Sequence, residues 1–149
     1  MHKAIALAKV GQTSEGGAPF GALVVKDGQI IVQGHNKVDG NTDCTEHAEM
    51  LVIREACKKL KSKKLNGCLL YTSCEPCLMC LGAIRWAGFD AVYYGASAND
   101  AKKYGFIYSD LFYQSSVGSR HKEFKLKQIC KKEAVEVWRI KGEHDKIRS

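Results

Sequence analysis

Residues 68–94, CLLYTSCEPCLMCLGAIRWAGFDAVYY, predict a strand, a helix and a second strand in direct succession. The segments 68–72 and 91–94 are apolar and rich in β-formers, which is typical of buried strands. Between them, Pro76 is suited to the first turn of a helix, and Gly88 is suited to ending one. This unit predicts an α/β domain in which helices cover a sheet.

The segments on either side extend the same pattern. Two apolar runs, 20–26 and 29–33, flank Asp27-Gly28, which is a strong signal for a β-hairpin. A polar segment, 34–46, predicts a loop, and apolar residues recur at helical spacing from His47 onward. The order of elements predicts a layered domain around a mixed sheet. The remaining predicted elements are helices over 4–14 and 131–140, short helices and loops over 96–120, and an edge strand over 123–129.

Length and composition favour one globular domain, residues 1–149, because no linker or internal repeat divides the chain. No apolar run approaches the roughly 20 residues that a membrane helix needs, so no membrane partner is expected. The apolar stretch 4–10 is too short for a secretory signal, which predicts a cytoplasmic protein. The seven cysteines are an odd number, and this favours metal binding and free thiols over a disulfide framework.

The chain is basic, with a formal net charge of +7 and a pI near 9.0. Such a charge attracts phosphates, so a nucleic acid is a possible partner. The densest basic run, residues 58–64, falls at the end of a predicted helix, where lysines complement the helix dipole. Nucleic acid is therefore not the favoured partner.

One imidazole, two thiols and one carboxylate make up the strongest candidate site. His47, Cys77 and Cys80 would give zinc three protein ligands and leave its fourth position open, which distinguishes a catalytic zinc site from a structural one. Both ligand segments lie at predicted helix starts, where the positive end of the dipole stabilises thiolates. Glu49, two residues from His47, is placed to move protons. The pattern predicts one Zn²⁺ that activates water, with Glu49 as the catalytic residue.

These cysteines allow two other interpretations. Cys74 and Cys77 also form a C-x-x-C pair, which can be redox-active, but Cys74 precedes Pro76 and is expected to lie outside the helix as a buried thiol that points elsewhere. A non-catalytic, zinc-stabilised binding domain would use the same three ligands. Glu49 argues against that alternative, since a purely structural site has no need of the carboxylate.

With these residues in place, the chain resembles the cytidine deaminase-like superfamily, whose signature is H-x-E followed by P-C-x-x-C. Within it, the chain is most similar to bacterial guanine deaminases. The resemblance runs from about Pro19 to Tyr94, with a looser continuation to Trp138. The matching segments are Pro19-Phe20-Gly21-Ala22, Val25-Lys26-Asp27-Gly28, Gly34-His35-Asn36, His47-Ala48-Glu49 and 71–87.

The resemblance implies a three-layer α/β/α fold with a central mixed five-stranded sheet, and a homodimer. It implies hydrolytic deamination of a free purine base, most directly guanine to xanthine and ammonia. Deamination of a nucleoside or a related aminated heterocycle is one alternative. A tRNA adenosine deaminase is another, although the C-terminal helix lacks the aromatic-then-arginine cluster that those enzymes share.

The resemblance also implies substrate-binding residues. Asn36 would hold the base, Phe20 and His47 would pack on its ring, and the backbone N–H of Ala48 would bond a carbonyl. In the family, an acidic residue after the match to Gly105-Phe106 contacts guanine. Asp110 is the candidate here, although the alignment needs two extra residues.

The C-terminal segment 130–149 is predicted as a helix and tail that can swap between subunits. In bacterial guanine deaminases, such a tail can place a terminal tyrosine in the partner's site. Trp138-Arg139 matches the start of that tail. No tyrosine follows Tyr113, however, so the resemblance does not supply a residue for this lid.

Overall fold

A computed structural model describes residues 1–112 and 116–148, with side chains up to residue 140. A five-stranded sheet with the order β2-β1-β3-β4-β5 forms its centre. Strand β1 is antiparallel to both β2 and β3, whereas β3, β4 and β5 are mutually parallel. The predicted mixed five-stranded sheet is therefore confirmed. The strands are β1 (Gly21–Lys26), β2 (Gln29–His35), β3 (Cys68–Cys74), β4 (Ala91–Ala96) and β5 (Leu126–Gln128).

Helices cover both faces of this sheet. Val52 and Leu81 are buried under one face, while Ala8 and Val137 are buried under the other. Burying each such aliphatic side chain stabilises the fold by about 1.5–3 kcal/mol. Of the described helices, none is long and apolar enough to cross a membrane. The helices are α1 (His2–Thr13), α2 (Val38–Asn41), α3 (Ala48–Leu60), α4 (Leu78–Ala87), α5 (Ala98–Lys103), α6 (Val117–Phe124) and α7 (Lys131–Arg148).

The β3–α4–β4 unit matches its prediction, with one shift at the start of the helix. Cys77 is the N-cap of α4, so Pro76 lies just before the helix and not in its first turn. Gly88 ends α4 in the left-handed conformation, with φ of 76°, and its N–H bonds the carbonyl of Ile84. Strand β3 also continues two residues beyond its predicted end, as far as Cys74.

Two of the local predictions differ from the structure in part. The predicted edge strand over 123–129 is present as β5 at the edge of the sheet, but it is shorter, because α6 continues to Phe124 and β5 covers only Leu126–Gln128. Phe124 and Leu126 both pack in the core. Because they are two positions apart, the sequence shows the same alternation as a single strand. The predicted loop over 34–46 contains the short helix α2.

The part of helix α7 whose side chains are described packs on the chain's own domain. The indole N–H of Trp138 donates to the carbonyl of Pro19 at 3.1 Å, and the amide of Gln12 donates to the carbonyl of Val137 at 3.2 Å. Val137 and Trp138 are buried. Tyr113 and Ser149 lie outside the described residues, and the exchange of the tail between subunits stays a prediction.

Candidate metal centre and adjoining cavity

Two helix starts bring the predicted metal ligands together. His47 is the N-cap of α3, Cys77 is the N-cap of α4, and Cys80 lies in the first turn of α4. The His47 Nδ1 atom lies 3.5 Å from the Cys77 sulfur and 3.6 Å from the Cys80 sulfur, and the two sulfurs are 3.6 Å apart. One imidazole nitrogen and two thiolates within 4.8 Å of one another form a donor set that suits tetrahedral zinc with one open position.

The protonation of the two thiols differs. Hydrogen bonding to Cys80, reinforced by the bond to His47, lowers the pKa of Cys77 to about 4. The contact with Cys77, together with burial, raises the pKa of Cys80. Hydrogen bonding to Cys77 raises the pKa of His47. Because metal ligands are deprotonated, binding of a dication is expected to release the proton that Cys80 holds.

Glu49 is a buried carboxyl group beside the ligands, only 5% exposed. The Thr72 hydroxyl donates to its Oε1 at 2.5 Å, and the Cys80 sulfur lies 3.1 Å from its Oε2. Burial raises the pKa of Glu49, and the hydrogen bond from Thr72 opposes this shift only in part. A carboxyl with a raised pKa, held in one orientation, is suited to accept and return a proton.

A cavity of about 110 Å³ opens beside these groups. Its volume is small compared with the roughly 300–1,000 Å³ of sites for drug-sized ligands, which favours a small molecule. Aromatic, amide, carboxyl, thiol and phenol groups line it. They belong to Phe20, Asn36, His47, Glu49, Cys74, Glu75, Cys77 and Tyr108.

Asn36 and Phe20 both line the cavity, and their contacts with a base stay predictions. Asn36 is 8% exposed, and its Oδ1 accepts the N–H of Val38 at 3.0 Å. That bond orients the amide and leaves its NH₂ to donate to a ligand. The ring of Phe20 lies 5.0 Å from that of Phe106 and 5.7 Å from that of Trp138, which gives one wall of the cavity an aromatic backing.

Ala48 is the first residue of α3 and is fully buried. The first N–H groups of a helix have no partner within the helix, and no side chain caps the start of α3. The N–H of Ala48 is thus among the groups that the helix start offers to a ligand oxygen. This position is compatible with the predicted contact to a carbonyl.

Asp110 is not brought to the cavity. It lies in a 3₁₀ turn, Ser109–Phe112, with its side chain 76% exposed and its Oδ1 3.5 Å from the ammonium of Lys102. Tyr108, two residues earlier, lines the cavity instead. In this segment, the phenol of Tyr108 therefore lines the cavity, and the expected carboxylate of Asp110 does not.

Three residues of the cavity wall were missed from the sequence. Cys74 is buried as expected, but it lines the cavity and does not point elsewhere. Glu75 accepts the N–H of Ala98 at 3.0 Å and pairs with the Arg120 guanidinium at 3.0 Å. Tyr108 lies two residues after Gly105-Phe106. The family match at Gly105-Phe106 is the one sequence signal that pointed to this segment.

Comparisons with known proteins agree with this geometry. The family model for the cytidine and deoxycytidylate deaminase zinc-binding region matches residues 1–96. The guanine deaminase of Bacillus subtilis is 52% identical over 106 residues, which cover 71% of this chain and 68% of that protein. A tRNA-specific adenosine deaminase of Aquifex aeolicus is 45% identical over 93 residues, or 62% of this chain and 60% of that protein.

Solved structures support the same relationship. The X-ray structure of the Bacillus subtilis guanine deaminase superposes with a TM-score of 0.73 at 43% identity, covering 83% of this chain and 88% of that one. The guanine deaminase of Nitrosomonas europaea has a TM-score of 0.82 over 93% of this chain and 80% of its own, at 24% identity. This second likeness shows the fold alone.

Proposed function

The chain belongs to the cytidine and deoxycytidylate deaminase family of zinc-binding proteins, and on that premise we propose that it deaminates guanine to xanthine. In this reaction one water adds its oxygen to the ring carbon that carries the amino group, and one ammonia leaves. The buried Glu49 carboxyl in the wall of a small cavity, beside His47, Cys77 and Cys80, is the observation that carries the proposal.

His47, Cys77 and Cys80 are proposed to hold one zinc ion. Bound zinc supplies activation of water at neutral pH. Glu49 would take one proton from the attacking water and pass it to a ring nitrogen, and would then move the second proton, from the hydroxyl of the adduct, to the departing amine. The raised pKa of Glu49 suits both steps, since a shuttle must accept and release a proton near the working pH.

Asn36, Phe20 and Ala48 are proposed to hold the base. The NH₂ of Asn36 would donate to an acceptor on the ring, and the N–H of Ala48 would donate to the carbonyl oxygen. Phe20, backed by Phe106 and Trp138, would pack on the ring face. The small volume of the cavity supports a free base over a larger ligand.

Ammonia release from guanine, guanosine, adenine, cytosine and cytidine tests this proposal. We expect guanine to be the preferred substrate, with zinc near one ion per chain by elemental analysis. Turnover of another compound with none for guanine would show that the substrate is wrong and the reaction class is right. No ammonia from any base or nucleoside would overturn the enzymatic proposal.

Deamination of adenosine in tRNA is the second candidate function. The 45% identity to the Aquifex aeolicus enzyme and the net charge of +7 favour it. Electrostatic binding of tRNA would weaken steeply with added salt, because counterions are released from the phosphates. Formation of inosine in tRNA, combined with inactivity toward guanine, would establish this function in place of the first.

We also propose a homodimer located in the cytoplasm. One stripe of α4 consists of residues at intervals of four, namely Leu78, Gly82 and Trp86. Trp86 is 79% exposed, and the space beside Gly82 is open. Such a stripe suits packing against the same helix of a second copy. Sedimentation should give twice the chain mass, and Trp86→Glu should shift it toward the monomer. None of the seven cysteines forms a disulfide, which fits a reducing compartment.

A further inference from the structure

We propose that Tyr108 determines which bases the cavity accepts, because its phenol oxygen takes one N–H of the substrate. This inference rests on the proposed function, since it concerns how the deaminase site selects its base. Tyr108 reaches the cavity from the segment between α5 and α6, outside the part of the chain that the family model matches. Its role is therefore argued from the contacts of the phenol.

The phenol is restricted to accepting hydrogen bonds from the cavity. Its O–H donates to the backbone carbonyl of Glu75, and its oxygen lies 3.0 Å from the Cys74 sulfur. Burial raises the pKa of both Tyr108 and Cys74, so both groups keep their protons. The Cys74 thiol accordingly donates to the phenol oxygen. A hydroxyl has one donor and two acceptor positions, which leaves one acceptor position for a ligand.

The surroundings of Tyr108 hold it in this state. The ring of Phe112 packs edge-on against the phenol ring at 5.8 Å, and the Arg120 guanidinium lies 4.1 Å from the centre of the Phe112 ring. Arg120 also pairs with the side chain of Glu75, whose carbonyl receives the phenol hydrogen. Rotating the phenol to donate into the cavity would break the bond to Glu75 and leave a buried carbonyl unpaired.

A locked phenol selects differently from a carboxylate. A carboxylate can accept two adjacent N–H groups in parallel, whereas the Tyr108 oxygen has room for one. A site built to pair with a substrate N–H discriminates strongly against an analogue that lacks it. The cavity should therefore require one ring N–H at the Tyr108 wall.

Tyr108→Phe tests the inference on guanine and on guanines carrying one methyl group at each ring nitrogen in turn. The variant keeps the ring that packs on Phe112. We expect kcat/KM for guanine to fall about 10- to 100-fold, mainly through KM, as for the loss of one buried hydrogen bond. For one methylated guanine, the ratio of wild type to variant should collapse to about one, because the N–H and its acceptor form a single interaction. Inhibition constants replace kcat/KM for compounds that are not turned over.

Tyr93→Phe is the matched control, because Tyr93 stacks on Tyr71 on the sheet and does not line the cavity. Its kcat/KM should equal the wild-type value for every compound. An equal loss by Tyr108→Phe on guanine and on all methylated guanines would overturn the inference, as would no loss at all. If Tyr108→Phe does not fold, the wild-type inhibition series decides, since indifference to methylation at every ring nitrogen would equally refute it.

The same measurements separate this inference from the proposed function. A wild-type protein that releases no ammonia from guanine contradicts the proposed function, and the methylation series is then built on the base that it does deaminate. A wild-type protein that is active on guanine, with Tyr108→Phe unchanged, contradicts only the role of Tyr108.

Discussion

The two walls of the cavity are built in different ways. The metal wall carries His47, Glu49 and Cys77 at two helix starts, and all of it lies within residues 1–96, which the family model matches. A second wall includes Tyr108, which is held through Glu75 and its partner Arg120 of α6 and lies beyond that match. The groups proposed for the chemical step thus lie inside the family match, whereas one group proposed to select the base lies outside it.

The largest expected effect is at the metal wall. Glu49→Gln keeps the shape and the contact with Thr72 but cannot shuttle protons, so turnover should fall by about a thousandfold while zinc stays bound. Ammonia release and metal content are measured on the same sample. Glu55→Gln, an exposed residue of the same helix, is the control and should match wild type. Retained activity in Glu49→Gln would contradict the assigned role.

The wall that includes Tyr108 should depend on a buried ion pair. Arg120→Met leaves the Glu75 carboxylate buried without its cation, so the free energy of unfolding should fall by about 3–5 kcal/mol. Denaturant titration measures the loss. Arg139→Met, which breaks an exposed pair with Glu136, is the control and should change stability little. Equal stability of the two variants would show that this wall does not rely on this pair.

Asn36, which also lines the cavity, should have an intermediate effect. Asn36→Ala removes the amide that is oriented by the N–H of Val38, so KM for guanine should rise about 10- to 100-fold, as expected for a lost hydrogen bond in a buried site. Steady-state kinetics on guanine measure this change. A loss confined to kcat would instead place Asn36 in the chemical step.

Asp110 should have the smallest effect. Its carboxylate is exposed and pairs with Lys102 at the surface, so Asp110→Asn should leave kcat/KM for guanine within about twofold of wild type. The same kinetic assay applies to Asp110→Asn and Tyr108→Phe in parallel. A large loss in Asp110→Asn with none in Tyr108→Phe would show that the bound state brings the carboxylate to the base.

The unequal success of sequence-based prediction follows the same division. Short sequence motifs identify the zinc ligands and the hairpin at Asp27-Gly28. The structure brings the three ligands together and forms the hairpin, as expected. The edge strand predicted over 123–129 is shorter in the structure, because the alternation of its first residues fits the end of α6 equally well. Periodicity describes one element at a time and contains no information on which element a residue such as Tyr108 meets.

The long-range contacts that build this cavity wall are therefore visible only in the structure. Glu75 and Arg120 are 45 residues apart in the chain, yet they form the buried ion pair behind the wall. Each, taken alone, reads as an ordinary surface charge, because charged side chains are rarely buried without a partner. The pairing of Glu75 with Arg120 is visible only in the structure. The same is true of the finding that Tyr108 lies at the cavity and Asp110 does not.

The hydrogen bond from Trp138 to Pro19 has a consequence for biosynthesis. It closes a contact over 119 positions and, with the rings of Phe20 and Phe106, completes one side of the cavity. Domains generally fold as units during synthesis. Because α7 belongs to the same domain as the metal ligands, the wall behind Phe20 cannot form until Trp138 has left the ribosome. A chain that ends before Trp138 would carry every metal ligand and still lack this side of the pocket.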